Sequence, residues 1–290
     1  YFTNKNDFTD SKLRGGISLM TQTYFDSGYL DFKVLDVQSD LNENKEKLSI
    51  TIDVTEGIQY KLGDVSFEGE LGNISESELN NTISMSKGDV FNRNLIINDI
   101  QTLTDLYADQ GYAFVEINPI TSDFLDSVDI NFKISLNKKT YLNRITITGN
   151  TRTQDEVIRR EIGISEGGLY SRSTLKKSLL SLRRLGYFSD VQISTSEVEG
   201  MSDKIDINFN VEETQTGSVS FSMSHSNNYG VSFGAGIQEK NIFGSGNTLN
   251  ADLKIAKSFN KVSFYFMNPN FNDEGHSVSI GAFKSEIDND

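Results

Sequence analysis

Leu182-Arg183-Arg184-Leu185-Gly186-Tyr187-Phe188 is where a helical pattern stops and an extended one starts. Glycine is the usual residue for ending a helix, because it takes the left-handed conformation without steric penalty. An aromatic residue straight after it favours extended chain. The same junction stands twice more, at Ser27-Gly28-Tyr29 and at Gln110-Gly111-Tyr112. One such junction would suit any α/β protein. Three at near-equal spacing are an internal repeat, which is recognised before any local feature.

Working outward from Gly186, Tyr141 to Thr148 alternates as a strand and is closed by Gly149-Asn150. Helices are expected from about Thr153 and from about Ser171, then strands Tyr187 to Ser196 and Ile205 to Val211. Residues 58–139 show the same succession. Strand Tyr60 to Phe67 ends at Glu68-Gly69, and Ser75 opens a short helix with Glu78 three residues on, a capping box. A longer helix from about Asn92 precedes strands Tyr112 to Thr121 and Val128 to Ser135. Ile96, Ile100, Leu103 and Tyr107 line one face of that helix. Counted back from the glycine, they fall at the offsets of Leu13, Ile17, Met20 and Tyr24, and Leu175 and Leu182 keep two of the four. Residues 1–57 then hold a helix, a strand Tyr29 to Val37, a polar hairpin Ser39 to Lys47 and a strand Leu48 to Val54. They read as the same module without its first strand and first helix, so the chain is expected to start inside a repeat. The fold class is α+β: tandem β-α-α-β-β modules over 1–57 (partial), 58–139 and 140–214.

From Thr216 the pattern changes. Val219, Phe221 and Met223 alternate with Ser218, Ser220, Ser222 and Ser224. Tyr229, Val231, Phe233, Ala235 and Ile237 alternate with Gly230, Ser232, Gly234, Gly236 and Gln238. Leu249, Ala251, Leu253 and Ile255 continue the series, as do shorter stretches at Val262 to Met267 and Val278 to Phe283. Segments of about ten residues, apolar on one side and small or polar on the other, are the mark of a transmembrane β-barrel. A soluble sandwich alternates too, so the period alone does not separate the two. The second face, built of Ser, Gly and Asn rather than long charged side chains, favours the barrel. Residues 215–290 are therefore expected to form its first antiparallel strands, short of the roughly eight that close the smallest membrane barrel.

Composition narrows the function. The net charge of −14 over 290 residues opposes a nucleic-acid grip, where a basic face is expected. The excess acid lies mainly outside Leu142–Thr214, where basic and acidic residues nearly balance. There is no Cys and only His225 and His276, which leaves no thiolate metal site and little for imidazole catalysis. No apolar run approaches the roughly 20 residues of a membrane helix. Two Gly-x-Ser-x-Gly matches occur, Gly163 to Gly167 and Gly230 to Gly234. The hydrolase elbow needs a strained strand-to-helix turn. The first match falls between two helices and the second inside a strand, so neither reads as an esterase. No nucleotide-binding loop or cofactor site is present in the sequence.

The residues Leu142-Asn143-Arg144-Ile145 through Gly149-Asn150-Thr151, Ile158-Arg159-Arg160-Glu161 and Leu185-Gly186-Tyr187-Phe188 resemble the Omp85 superfamily with its POTRA domains. So do Gly230-Val231-Ser232-Phe233 through Asn241-Ile242-Phe243-Gly244-Ser245-Gly246, and Asn268-Pro269 followed by Phe271. The chain departs from the family in its acidic helix faces over 70–110 and in Asn270, where an aromatic is frequent. The resemblance implies a third (partial), fourth and fifth POTRA module in the periplasm, and a barrel in the bacterial outer membrane. It also implies an assembly factor without enzymatic activity, whose partners are unfolded outer-membrane β-barrel clients, accessory assembly lipoproteins and outer-membrane lipid.

Three sets of residues are candidates for that work. The first barrel strand, Gly217, Ser218, Val219, Ser220, Phe221, Ser222, Met223 and Ser224, is implied by the resemblance to be a lateral gate for client strands. The strands after the Gly-Tyr junctions, through Tyr29 and Phe32 and through Tyr112, Phe114 and Glu116, offer sheet edges that template an extended segment. Packed sheet is the plain alternative for both. Arg152, Arg159, Arg160, Arg172, Lys176, Lys177, Arg183 and Arg184 form the most basic region. A solvated helical face or a docking face both suit it, and the resemblance implies accessory-lipoprotein docking at Glu166, Arg159 and Arg160. Other functions considered are a two-partner-secretion-type translocator exporting one polypeptide, a lipolytic enzyme fused to an Omp85 barrel, and a structural tether between periplasm and membrane.

Overall fold

A computed structural model of the chain describes residues 9–41, 48–227, 230–272 and 274–287. Tyr229 and the 42–47 part of the polar hairpin lie outside the described residues. The chain divides into two compact units, Tyr1–Ala108 with Tyr112–Asn137, and Lys138–Asp290 with Asp109–Gly111.

The first unit opens with α1 (Asp10–Asp26), capped by the Thr9 side chain, which accepts from the Lys12 N–H. Two antiparallel strands follow, β1 (Lys33–Leu41) and β2 (Leu48–Thr55). Leu13, Ile17, Met20 and Tyr24 are half-buried, as their spacing requires of one helical face. The unit continues with β3 (Lys61–Gly69), α2 (Glu76–Thr82), α3 (Arg93–Ala108), β4 (Glu116–Phe124) and β5 (Ser127–Ser135). Ser75 caps α2 by accepting from the Glu78 N–H. The sheet order is β3-β5-β4, with β3 parallel and β4 antiparallel to the central β5. Val128, Ile130, Phe132 and Ile134 of β5 meet Leu79, Leu103 and Tyr107 from the helices, all at 2% exposure or less.

The second unit repeats this order with β6 (Tyr141–Thr148), α4 (Asp155–Arg159), α5 (Arg172–Leu185), β7 (Phe188–Val198) and β8 (Met201–Glu213), the sheet running β6-β8-β7. Leu142, Ile158, Leu182, Ile207 and Phe209 form its buried core. Gly186 ends α5 with φ 70°, as the junction requires. A meander follows: β9 (Gly217–Ser226), β10 (Gly230–Ile242), β11 (Asn247–Ala256), β12 (Phe259–Phe271) and β13 (His276–Ile287), each paired to the next. The register sets Phe221, Ala235, Leu253 and Val262 side by side on one face. Val219, Phe221, Met223, Phe233 and Ile237 on that face are 53–83% exposed. The α+β class, with tandem β-α-α-β-β modules and the start of a transmembrane barrel, is thus borne out.

The strands after the Gly-Tyr junctions begin later than expected in the first unit. β1 starts at Lys33 rather than Tyr29, and β4 at Glu116 rather than Tyr112. Tyr29, Phe32, Tyr112 and Phe114 therefore precede the edge strands, and of these candidates only Glu116 lies in one. The cause is helix closure. The Tyr29 N–H bonds back to Tyr24 O at 2.9 Å and the Tyr112 N–H to Tyr107 O at 3.2 Å, the six-to-one bond that satisfies the last helical carbonyls. Their rings then pack on the helix, Tyr29 edge-on to Tyr24 and Tyr112 edge-on to Tyr107, while Phe32 stacks on Tyr24 at 4.0 Å.

Candidate functional site

β9 pairs antiparallel with β10, from Gly217 opposite Glu239 to Ser226 opposite Gly230. Every residue along it is exposed. Ser220 and Ser222 stand opposite Gly236 and Gly234. A Ser–Gly pair offers almost no side-chain contact across the ladder, and such contacts supply much of a sheet's stability. One polar pair closes the far end, where the Ser224 and Ser232 hydroxyls lie 2.7 Å apart. The Ser232 of the second hydrolase-like match is thus a buried strand residue bonded to another serine. β9 contains no proline and no Lys, Arg, Asp or Glu, the residues that commonly blunt an edge strand.

The module edges differ. Pro119 sits in the middle of β4, on the outside of its sheet. Lacking an N–H, it takes a donor out of that edge. On β7, the Val191 N–H is taken by Asp190 Oδ1 at 2.8 Å and its carbonyl by Arg183 Nη2 at 3.1 Å. On β6, Glu166 Oε1 accepts from the Ile145 N–H at 2.8 Å while Arg159 Nη2 donates to the Ile145 carbonyl at 3.1 Å. On β1, the Val37 N–H bonds to Asp36 Oδ1 at 2.9 Å. Each of these strands has a main-chain position already occupied by a side chain or removed by proline.

The structure brings Glu166 and Arg159 together on Ile145, where they act within the module. Arg159 is further held by Asp155, one turn back on α4. Arg160 points elsewhere. Its guanidinium lies against Gly246, where a Cβ would overlap it, and its Nε is buried without a hydrogen-bond partner.

That contact belongs to a socket which sequence reasoning missed. The turn from β10 to β11 is seated on the loop after β6. Asn241, 8% exposed, donates through Nδ2 to Thr153 Oγ1 at 2.9 Å and accepts from the Gly246 N–H at 2.7 Å. The Gln154 N–H bonds to Gly244 O at 2.9 Å, and the buried Tyr187 hydroxyl donates to Gly246 O at 3.2 Å. Gly244 has φ 72° and lies so close to Arg152 O that a Cβ could not fit. Burial holds the Tyr187 phenol above its ordinary pKa, so it stays a donor. On the other side of the loop Glu213, at the end of β8, accepts from the Thr151, Arg152 and Thr153 N–H groups and from the Thr151 hydroxyl. Desolvation would raise the carboxyl, but these donors outweigh it and hold Glu213 at about 2. The only sequence signal was the glycine spacing in Asn241-Ile242-Phe243-Gly244-Ser245-Gly246.

A family model described as POTRA, surface antigen variable number repeat, matches residues 3–57, 60–135 and 140–214. The outer membrane protein assembly factor BamA of Neisseria meningitidis serogroup B is 31% identical over 290 residues, 99% of this chain and 36% of that protein. BamA of Buchnera aphidicola is 30% identical over 252 residues, 86% of this chain and 41% of that protein. Among solved structures, BamA from Haemophilus ducreyi lacking POTRA domains 1–3 superposes with TM-score 0.70 at 25% identity, covering 79% of this chain and 44% of that one. The POTRA3–5 fragment of Haemophilus influenzae BamA gives 0.61 at 25% identity, covering 73% and 84%. The chain spans 36–41% of the length of these two curated relatives.

Proposed function

The chain belongs to the POTRA family, and from that premise we propose that it works, within a longer protein, in assembling and inserting β-barrel proteins into the bacterial outer membrane. Its POTRA modules stand in the periplasm and its β9–β13 sheet in the outer membrane. The relatives' common name, outer membrane protein assembly factor, supports the role. It does not favour a dedicated translocator. The observation that carries the mechanism is the weak side-chain bonding between β9 and β10, where Ser220 and Ser222 face Gly236 and Gly234.

A client strand adds to Gly217–Ser226 through main-chain hydrogen bonds, which scarcely depend on the client's side chains. Val219, Phe221 and Met223 face lipid, and Ser218, Ser220, Ser222 and Ser224 face the lumen. No fuel is required, because the client's apolar strand faces leave water and its edges become paired. The module edges receive clients only on stretches that side chains and proline leave open, such as Ile193–Glu197 of β7. Accessory lipoproteins dock on the basic side of the 140–214 module, around Arg159, Arg160 and Glu166.

The test is reconstitution of the complete protein in vesicles with a urea-denatured outer-membrane barrel protein as client. Ser220→Pro with Ser222→Pro removes two main-chain donors from β9. Assembly is expected to fall at least to the spontaneous rate. Unchanged assembly by a correctly folded double variant would remove β9 from the mechanism.

A further inference from the structure

Two of the three Gly-Tyr junctions carry a feature that the fold of a single module does not use. Asp26 and Asp109 stand two residues before Gly28 and Gly111, and each carboxylate caps a helix that begins far along the chain. Asp26 Oδ1 accepts from the Asn94 N–H at 3.0 Å. Asp109 Oδ1 accepts from the Ser173 N–H at 2.7 Å and from the Ser171 hydroxyl at 3.1 Å. Asn94 and Ser173 are each the second residue of their helix, α3 and α5. The following N–H is taken in both cases by the helix's own cap, Leu95 by Asn92 Oδ1 at 2.9 Å and Thr174 by Ser171 Oγ at 3.3 Å. A helix leaves its first N–H groups without internal partners and carries partial positive charge there. The aspartate therefore satisfies a donor that the helix's own cap leaves over.

The glycine adds a main-chain bond. Gly28 O accepts from the Tyr60 N–H and Gly111 O from the Thr140 N–H, both at 2.8 Å. The carbonyls of Tyr60 and Thr140 accept in turn from the Phe91 and Tyr170 N–H groups. A Cβ on Gly28 would lie 2.8 Å from Tyr60 O, so the approach itself requires glycine. The third junction is built otherwise. Arg184 stands two residues before Gly186, a Cβ on that glycine would meet nothing within 4 Å among the described residues, and the chain continues into β9–β13 rather than another module. Within the first unit, three further contacts join residues 1–57 to 58–139. The Arg93 guanidinium lies 5.6 Å over the Phe25 ring, Gln59 Nε2 donates to Ser27 O at 2.9 Å, and the Tyr60 hydroxyl donates to Asp31 Oδ2 at 2.9 Å. We propose that the aspartate and glycine form a joint that locks the 1–57 module against the 58–139 module in one orientation, with Asp26 as its catch. The joint does not depend on how β9 works.

The test measures the distance between spin labels at Ser49→Cys on β2 and Lys133→Cys on β5, by double electron–electron resonance on the complete protein in detergent micelles. Both positions are exposed, and residues 1–290 contain no other cysteine. One narrow distance is expected. Asp26→Ala should raise the displaced population about fivefold, the usual effect of losing a helix cap, and so broaden the distribution. Asp26→Asn keeps an oxygen for the Asn94 N–H and should stay narrow. Protection of the Ile130 and Phe132 amides from exchange checks in each variant that the 58–139 module is folded. A broad distribution in the native protein, a narrow one in Asp26→Ala, or equal broadening in both variants would overturn the joint.

Discussion

Four donors converge on Glu213, and they fix the loop on which the β10–β11 turn sits. Its folded pKa lies below its unfolded one, so this contribution to stability is complete above about pH 4.5 and is lost as pH falls toward about 2. Glu213→Gln removes the charge and turns an NH2 group toward N–H donors. The cost is about 1.5–3 kcal/mol for charge-assisted bonds. Amide exchange at Thr151–Thr153, corrected for intrinsic rates, should speed up correspondingly, and the acid-dependent loosening between about pH 4.5 and 2 should vanish in the variant. Exchange rates and pH profile matching the native protein would mean that Glu213 does not hold the loop. Nothing local in the sequence announces this residue, since its partners are about 60 positions away. Gly186 is the opposite case: helix closure is a local event, and the Gly-Tyr pair writes it into adjacent positions.

At the scale of elements, the modules were legible because strand and helix periods are local and recur with the glycines. Ile96, Leu103 and Tyr107 are buried as their spacing demands, and β9 spans the ten residues expected of it. What the sequence could not show was which main-chain groups on an edge are already taken. Glu166 looks like a free acid in a glycine-flanked loop, yet it bonds to Ile145 across 21 residues. The two roles separate by mutation. Glu166→Gln keeps an acceptor for the Ile145 N–H and loses the charge, whereas Glu166→Ala loses both. If the residue guards the edge, only the alanine variant exposes an unpaired position on β6, which sedimentation would detect as concentration-dependent self-association. If it docks an accessory lipoprotein through its charge, both variants lose binding in a pull-down with the purified lipoprotein. Equal self-association of both variants would contradict the edge-guarding role.

At the scale of the whole molecule, several module edges carry devices that interrupt strand pairing, and the first barrel strand carries none of them. Pro119, Asp190 with Arg183, and Glu166 with Arg159 each interrupt a module edge, while β9 contains no proline or acid–base pair and sets Ser220 and Ser222 against Gly236 and Gly234. Such devices matter because a long open edge recruits extended chain indiscriminately. The barrel start was legible from alternation, but the socket was not, since Asn241 and Thr153 meet across 88 residues. The central claim is that β9 is where client strands enter. The most direct test is photocrosslinking in cells from Ser218, Ser220 and Ser222 of the complete protein, with newly made outer-membrane proteins pulse-labelled. Transient adducts to many different barrel proteins, disappearing as those proteins mature, are the predicted result. Crosslinks confined to the protein's own chain, or to one secreted polypeptide, would contradict it.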